Sequence, residues 1–480
     1  MSNNSTSITL VRGLGLIAAI SIVVGNVIGT GVFLKARVMT CNVETPGMVL
    51  TVWVVAGLLS LAGALTYAEL AAMMPHAGGE YVFLRESYGS RLAFLYGWMQ
   101  IFIAKTGSQA SVAVAFAIFL NVLTGGALDR EIFALDLFGW RLPFGRVQIV
   151  ALGIIALLTA VNCAAVVVSG WVATFLTVIK IALVLGVGLG AFLFAPGDFA
   201  HFGMSNAGGT CDGVEPAARA GLAGFSAAML GALWGYDGWN NVTLVAGEVK
   251  NPQRDIPLAL IGGTSLIILL YVFVNAAYFY ALTPTEVASV SPNSSVATEV
   301  TSRFLGSLAT GLIAAALMAS SIGTLHTSIL TGARVPFAMA RDGLFLQSLA
   351  KLSARSRVPI GALIAQAIWA GLLALSGSFD TLTDYVIFGS WIFYGLTTSA
   401  VFVLRRRRPD VPRPYRAWGY PVVPALFLVV TAWLLVMTLK TAPLRSFIGL
   451  GLIALGLPVY WYITRRHAAR EPEKIFADPK

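Results

Sequence analysis

Charge is what this sequence has least of. Asp, Glu, Lys and Arg make up 11% of its 480 residues while apolar types make up 57%, where an ordinary soluble domain carries roughly a quarter charged residues. That balance excludes a water-soluble globular protein. No large polar domain, P-loop or dinucleotide fingerprint interrupts the apolar stretches, which argues against a nucleotide-driven pump. The apolar segments hold no His-x-x-x-His, no aspartate pair and no serine elbow, so the clustered groups an enzyme needs are missing. His76, His201 and His467 fall in loops or tail without metal-ligand spacing. Cysteine is scarce as well. Cys41, Cys163 and Cys211 are odd in number and spaced like neither a disulfide framework nor a metal site, so they are expected to be buried or loop thiols. Neither a cofactor nor a metal is expected.

What is present is a series of long apolar runs, among them Gly13 to Leu34, Val49 to Met74, Ile149 to Val168 and Phe447 to Ile463. Each approaches the ~20 residues that cross a ~30 Å hydrocarbon layer. A backbone in lipid must bond to itself, so these runs are predicted to be helices despite their β-branched content. The expected fold class is all-α and integral to the bilayer, with about twelve spans at 13–34, 47–74, 92–124, 147–168, 169–195, 217–247, 258–282, 304–340, 358–377, 382–404, 418–439 and 444–464. The polar start and the length of the first run predict a retained helix rather than a cleaved leader. An even number of spans puts both tails, 1–12 and 465–480, on one face.

The formal net charge is +10, but the basic residues lie in short loops between apolar segments, which disfavours a nucleic-acid partner. With the N-terminus cytoplasmic, roughly 20 Lys and Arg fall inside and about 9 outside, as the positive-inside rule requires. Arg405, Arg406, Arg407, Arg408, Arg413 and Arg416 follow span ten, and Arg465, Arg466 and Arg470 follow span twelve. The run at 405–408 fits a stop-transfer anchor better than a lipid-headgroup site. The expected location is therefore multi-pass in the plasma (cytoplasmic) membrane.

Two spans carry interruptions. In span one it is Gly25-Asn-Val-Ile-Gly-Thr-Gly31; in span six, Gly231-Ala-Leu-Trp-Gly-Tyr-Asp-Gly-Trp-Asn-Asn241. Each glycine costs about 1 kcal/mol of helix propensity relative to alanine, and polar Asn26, Thr30, Asp237 and Asn240 lie among them. Gly25-x-x-x-Gly29 alone is equally a helix-packing motif. With both breaks in matching places, a transport cavity is the better reading, since non-helical backbone at that depth survives where it lines a cavity. Matching breaks in spans one and six divide the single domain 1–480 into an inverted repeat, 13–195 and 217–404, with two extra helices at 418–464. A broken helix offers amides at the start of its second half and carbonyls at the end of its first. The amides near Thr30 and Gly31, with the Thr30 hydroxyl, suit a carboxylate. Carbonyls near Val27, Trp234 and Asp237 suit an ammonium. A zwitterionic amino acid carries both.

These residues resemble the amino acid–polyamine–organocation superfamily and, within it, the L-type amino acid transporter branch. Gly25-Asn-Val-Ile-Gly-Thr-Gly-Val-Phe33 is similar to the branch's span-one motif, and Tyr67-Ala-Glu-Leu70 with Gly78-Gly-Glu-Tyr81 to the end of its span two. Val161-Asn-Cys163 and Lys180 resemble positions in spans four and five. Tyr236-Asp-Gly-Trp-Asn240, Glu248-Val-Lys-Asn-Pro252 and Ile256-Pro257 resemble span six and the segment leading into span seven. The resemblance covers nearly the whole chain. It implies a LeuT-type five-plus-five inverted repeat and sodium-independent transport of amino acids, commonly by exchange. It implies Thr30 and Gly31 at the carboxylate, the Val27, Trp234 and Asp237 carbonyls at the ammonium and Trp234 as an aromatic gate; the substrate-binding set expected is Val27, Gly29, Thr30, Gly31, Trp234, Gly235, Asp237, Gly238, Trp239 and Asn240. It assigns coupling and gating to Gly25, Lys180, Ser320, Ser321 and Trp234. Members of the branch that join a heavy chain by disulfide do so through a cysteine after span three. The loop Thr124 to Gln148 has none, so no disulfide-linked heavy chain is expected. Ser390 stands where several relatives carry Asn, and Asp237 where some carry Gly.

Ionisable residues inside spans mark functional candidates. Lys180 is expected to bridge span one to span eight near Gly25, Ser320 and Ser321, either as a fixed tether or as a proton switch. Lys105 is deep in span three without an evident partner. Glu69 and Arg334 are expected to make contacts near the inner face. His326 either faces the pathway or is satisfied in the core. The function expected is exchange of neutral L-amino acids by alternating access. A proton-coupled carrier, or a carrier of cationic amino acids or polyamines with the same fold, is the alternative.

Overall fold

The computed structural model describes residues 9–137, 140–291, 294–375, 379–441 and 443–467. The outermost parts of both tails, and Arg470 with them, lie outside the described residues. Helices dominate. In chain order they are α1 (Leu16–Val27), α2 (Gly31–Val43), α3 (Pro46–Met73), α4 (Glu80–Tyr88), α5 (Ser90–Met99), α6 (Lys105–Leu123), α7 (Arg146–Asn162), α8 (Val166–Phe194), α9 (Gly221–Tyr236) and α10 (Pro252–Ala281). Next come α11 (Pro284–Ala288), α12 (Val296–Leu305), α13 (Leu308–Gly332), α14 (Arg334–Arg341), α15 (Ile360–Leu375), α16 (Phe379–Arg407), α17 (Val422–Thr441), α18 (Pro443–Ala454) and α19 (Gly456–His467). A π-helical turn, Gln100–Ala104, joins α5 to α6, and a 3-10 helix, Trp239–Glu248, lies after α9.

The chain is a multi-pass membrane protein. Among the described residues seven helical segments are long and apolar enough to cross a bilayer unaided, and the pair α1 and α2, bent by 42°, makes an eighth. The other expected spans fall on shorter apolar helices (α7 and α15), on α16, and on α9 with its 3-10 continuation. Large side chains such as Trp171, Phe175 and Leu189 on α8 stand exposed on the outside of the bundle, where hydrocarbon is their solvent.

Several boundaries differ from expectation. The first span does not end near residue 34 but runs through α2 to Val43. The turn between spans four and five lies at 163–165 rather than 168, because both helices are apolar and hydropathy cannot mark so short a turn. Between α6 and α7 stands a hairpin of β1 (Glu131–Leu137) and β2 (Trp140–Gly145), paired antiparallel from Glu131↔Gly145 to Leu137↔Trp140. Hydropathy had shown only a loop there.

The expectation for cysteine is overturned. Cys41 and Cys211 form a disulfide, Cα to Cα 5.7 Å, across 170 residues of sequence, a separation that no spacing rule could detect. Cys163 is free.

Spans one and six run in opposite directions. Leu14, before α1, receives and donates backbone hydrogen bonds with Lys250 and Glu248, at 2.8 and 2.9 Å, so span one begins where span six ends. At the far face Asn42 Nδ2 donates to the Ala218 carbonyl at 2.5 Å, and the Ala220 amide donates to the Asn42 carbonyl at 2.8 Å. There span one ends and span six begins. Packing of α1 on α8 and α10, and of α2 on α9, holds the two together.

Candidate functional site

Both expected breaks exist, narrower than the glycine pattern suggested. Gly25, Asn26 and Val27 remain helical, and the chain leaves the helix at Ile28 (φ −69°, ψ 93°) to resume at Gly31. In span six the helix holds through Tyr236 and breaks at Asp237 and Gly238, where Gly238 has φ +100°. That is left-handed backbone, which glycine adopts without steric cost. The breaks touch. A Cβ added to Gly31 would stand 3.0 Å from the Gly235 Cα and 3.2 Å from Trp234 Cζ3.

Helix ends therefore converge from four directions. The carbonyl ends of α1 and α9 and the amide ends of α2 and the 3-10 helix meet at one place. The first amides of α2 have no intrahelical acceptor, and the Thr30 side chain makes no capping bond to its own helix, which leaves its hydroxyl for another partner. Tyr271 of α10 ties the two carbonyl ends together, its hydroxyl 2.9 Å from the Val27 carbonyl and 3.0 Å from that of Gly235. The Trp234 carbonyl accepts from the Asp237 amide at 3.2 Å. Each carbonyl has two lone pairs, so one such bond does not close it to a second donor.

A cavity of about 100 Å³ lies at this junction, several times the ~10–15 Å³ that holds one water. Val27, Gly29, Thr30, Gly31, Trp234, Gly235, Asp237, Gly238 and Ser321 of the expected set line it, and so does Ser390. Outside the expected substrate set, Asn26, Gln100, Ser108, Ser111, Asn241, Thr324, Ser328 and Tyr394 also line it, together with Lys105. The wall is thus rich in small hydroxyls. Lys35 of α2 stands 5.0 Å from the centroid of the Trp234 ring, a cation–π distance.

Two of the residues expected to bind substrate are not on the wall. Trp239 is 2% exposed and packs its ring on Tyr67 at 4.8 Å and Tyr394 at 5.8 Å. Asn240 is turned away and bonds the buried Glu80 carboxylate. The tight 3-10 geometry after Gly238 carries both side chains past the cavity. Glu80, which the sequence did not single out, also accepts from Tyr67 at 3.2 Å and Thr397 at 3.5 Å.

Lys180 does bridge spans one and eight. Its Nζ lies 2.6 Å from the Gly25 carbonyl, 2.6 Å from the Ile28 carbonyl and 2.7 Å from Thr324 Oγ1. The partner on span eight is Thr324 rather than the expected serines. Ser320 instead donates to the Ile28 carbonyl at 3.2 Å, and Ser321 back-bonds to Leu317 in its own helix at 2.9 Å. Lys105 has a partner after all, Asn241 Oδ1 at 2.6 Å. Tyr394 donates to Asp237 Oδ1 at 2.7 Å, so the Asp237 side chain as well as its backbone is part of the site. His326 is satisfied in the core. Its ring nitrogens lie 3.1 Å from Asn162 Nδ2 and 3.0 Å from the Ser169 carbonyl.

Ion pairs cluster at the face where span one begins. Arg334 and Glu248, both 0% exposed, make a two-pronged pair at 2.7 and 2.8 Å. Glu69 accepts from Arg405 at 2.9 and 2.6 Å and from the Ala417 amide at 2.6 Å. Arg85 and Tyr81 both bond Asp342.

A family model described as amino acid permease matches residues 14–457. The chain belongs to the amino acid permease family. This permease is 28% identical over 476 residues to the b(0,+)-type amino acid transporter 1 of Rattus norvegicus, covering 99% of the chain and 92% of that protein. It is 31% identical over 417 residues to the transporter of the same name from Oryctolagus cuniculus, covering 86% and 80%. It is 30% identical over 461 residues to the large neutral amino acids transporter small subunit 2 of Mus musculus, covering 96% and 82%. The motif resemblance and these relatives agree on the family, a family of transporters and not of enzymes.

Proposed function

We propose that this permease exchanges neutral L-amino acids across the plasma membrane without sodium, by alternating access around the cavity between the two breaks. One observation carries the reading: amide ends and carbonyl ends of two interrupted helices meet at a single cavity walled by small hydroxyls. The substrate carboxylate binds at the start of α2, at Thr30 and Gly31, where the helix dipole favours an anion. Its ammonium binds at the ends of α1 and α9, at the Val27, Trp234 and Asp237 carbonyls. Trp234 covers the bound substrate. The antiparallel course of spans one and six supports an inverted repeat of 13–195 and 217–404, with 418–464 as an appendix.

Lys180 acts as a tether. Its Nζ has three oxygens at 2.6–2.7 Å, two of them carbonyls that can only accept, a set that the three donors of an ammonium match. A fixed cation there holds spans one, five and eight together without a sodium ion. Orientation has two independent supports. The Lys and Arg excess lies at the face where span one begins, and the Cys41–Cys211 disulfide lies at the opposite face, as expected on an oxidising side. Both tails are then cytoplasmic.

The Asp237 carboxylate at the cavity favours one rival, a carrier of cationic amino acids. Counterflow in proteoliposomes decides. Labelled alanine, serine, leucine, arginine and putrescine are offered with and without internal substrate, sodium and a pH gradient. Exchange predicts uptake stimulated by internal neutral amino acid and indifferent to both gradients. Uptake driven by the proton gradient without internal substrate, or confined to arginine and putrescine, contradicts it.

A further inference from the structure

The outer halves of spans one and six, α2 and α9, are tied at both ends, and the outermost tie is covalent. At the inner end the two breaks meet at Gly31 and Gly235. One turn further along α2, Lys35 Nζ stands 5.0 Å from the centroid of the Trp234 ring. At the outer end α2 meets the segment that leads into α9. Asn42 bonds both Ala218 and Ala220 there. Arg37 Nη1 donates to the Asp212 carbonyl at 2.7 Å. Asn206 donates to the Glu44 carbonyl from its amide at 2.9 Å and to the Thr40 carbonyl from Nδ2 at 3.0 Å, so the same segment caps the end of α2. Arg219 folds that segment back toward the start of α9, its Nη2 donating to the Cys211 carbonyl at 3.0 Å and its Nε to the Val214 carbonyl at 3.1 Å. Among these contacts lies the Cys41–Cys211 disulfide, both cysteines buried with Val214 and Ala288. A hydrogen bond near water exchanges with solvent at small net cost. A covalent cross-link does not open during a transport cycle.

We propose that Cys41 and Cys211 are positioning residues for transport: their cross-link makes α2 and α9 one body, so that the carboxylate end of the site on α2 and the ammonium end on α9 stay aligned while the outer mouth opens. The proposal rests on the reading of the cavity as the amino acid site. Neither cysteine lines that cavity, and both act on Thr30, Gly31 and Trp234 only through the two half-helices. In this structure α2 also packs against α11 and α12. Opening of the outer mouth loosens that packing, and the cross-link then carries the alignment. Substrate arriving from outside therefore depends on it more than substrate arriving from inside.

The test is KM for a neutral amino acid at each face, in intact cells for the outer face and in inverted membrane vesicles for the inner. Cys41→Ala/Cys211→Ala is compared with the wild type and with Cys163→Ser, which keeps the cross-link. The double variant is expected to raise the outer KM about five-fold or more and to leave the inner KM within about two-fold. Cys163→Ser is expected to match the wild type at both faces. If the double variant does not reach the membrane, Cys163→Ser cells are measured before and after an impermeant reductant and again after reoxidation. The outer KM is then expected to rise and to return. A cross-link that serves stability alone lowers the melting temperature and the maximal rate with both KM values unchanged, and that result overturns the proposal. So does an equal rise at both faces, or an unchanged outer KM in cells whose reduced cysteines are shown by thiol labelling. A wild type that takes up no amino acid at all overturns instead the reading of the cavity on which the proposal stands.

Discussion

A first side-chain carbon on Gly31 would stand 3.0 Å from the Cα of Gly235. The two breaks are thus in backbone contact, and neither can be described without the other. Gly31→Ala is expected to force the half-helices apart. Overpacking of this kind costs about 1–3 kcal/mol, which, if spent on the bound state, lowers substrate affinity by roughly 5- to 150-fold. Measured Kd in detergent, with the melting temperature of the unliganded protein as control, checks it.

Tyr271 supplies the link between the carbonyl ends. Its single hydroxyl proton faces two acceptors, Val27 O and Gly235 O, so it can donate to only one at a time. Tyr271→Phe leaves the ring against Trp53 but frees both carbonyls. Losing one such bond costs about 0.5–1.5 kcal/mol, and the exchange rate is expected to fall more than the melting temperature does.

The oxygens around Lys180 Nζ are expected to leave no room for a coupling cation. Uptake by the wild type should be equal in sodium and in choline media. Lys180→Met orphans the Gly25 and Ile28 carbonyls and is expected to abolish transport, while Lys180→Arg, too long for the same three oxygens, restores little. A sodium requirement in the wild type would contradict the tether.

Arg334 and Glu248 are both fully buried. Removing one partner of such a pair typically costs about 3–5 kcal/mol. Glu248→Gln should therefore lower the melting temperature sharply, whereas Glu69→Gln, whose partner Arg405 is partly exposed, should lower it less. Equal losses would contradict the burial argument.

The disulfide reports the sidedness of the chain. In intact cells a membrane-impermeant maleimide should label Cys41 and Cys211 only after treatment with an impermeant reductant. Cys163, in the turn between α7 and α8 at the opposite face, should be reached only after the cells are opened. The reverse pattern would place the N-terminus outside.

Hydropathy and glycine content made the bundle and both breaks legible, because those signals are local: twenty apolar residues in a row, or several glycines within two turns. Pairings across the fold were not legible. Lys105 announced itself as an ionisable group in a span, but its partner Asn241 lies 136 residues away. Glu80 stood in a motif and gave no sign that it would bond Asn240. The disulfide and the exchange of Ser320 for Thr324 at Lys180 depend on how helices are rotated about their axes, which the weak amphipathicity of buried membrane helices does not encode. Trp239 and Asn240 were misplaced for a related reason. A helix that resumes as 3-10 turns its side chains by a different angle per residue.

The central claim is that main-chain groups at the two breaks hold both ends of a zwitterion. The most direct measurement is competition for exchange in proteoliposomes by one neutral amino acid in three forms: free, esterified at the carboxylate, and acetylated at the amine. Only the free form should compete, the ester having lost its contact with Thr30 and Gly31 and the acetyl form its contact with the ends of α1 and α9. An ester or acetyl derivative that competes as well as the free amino acid would contradict the account.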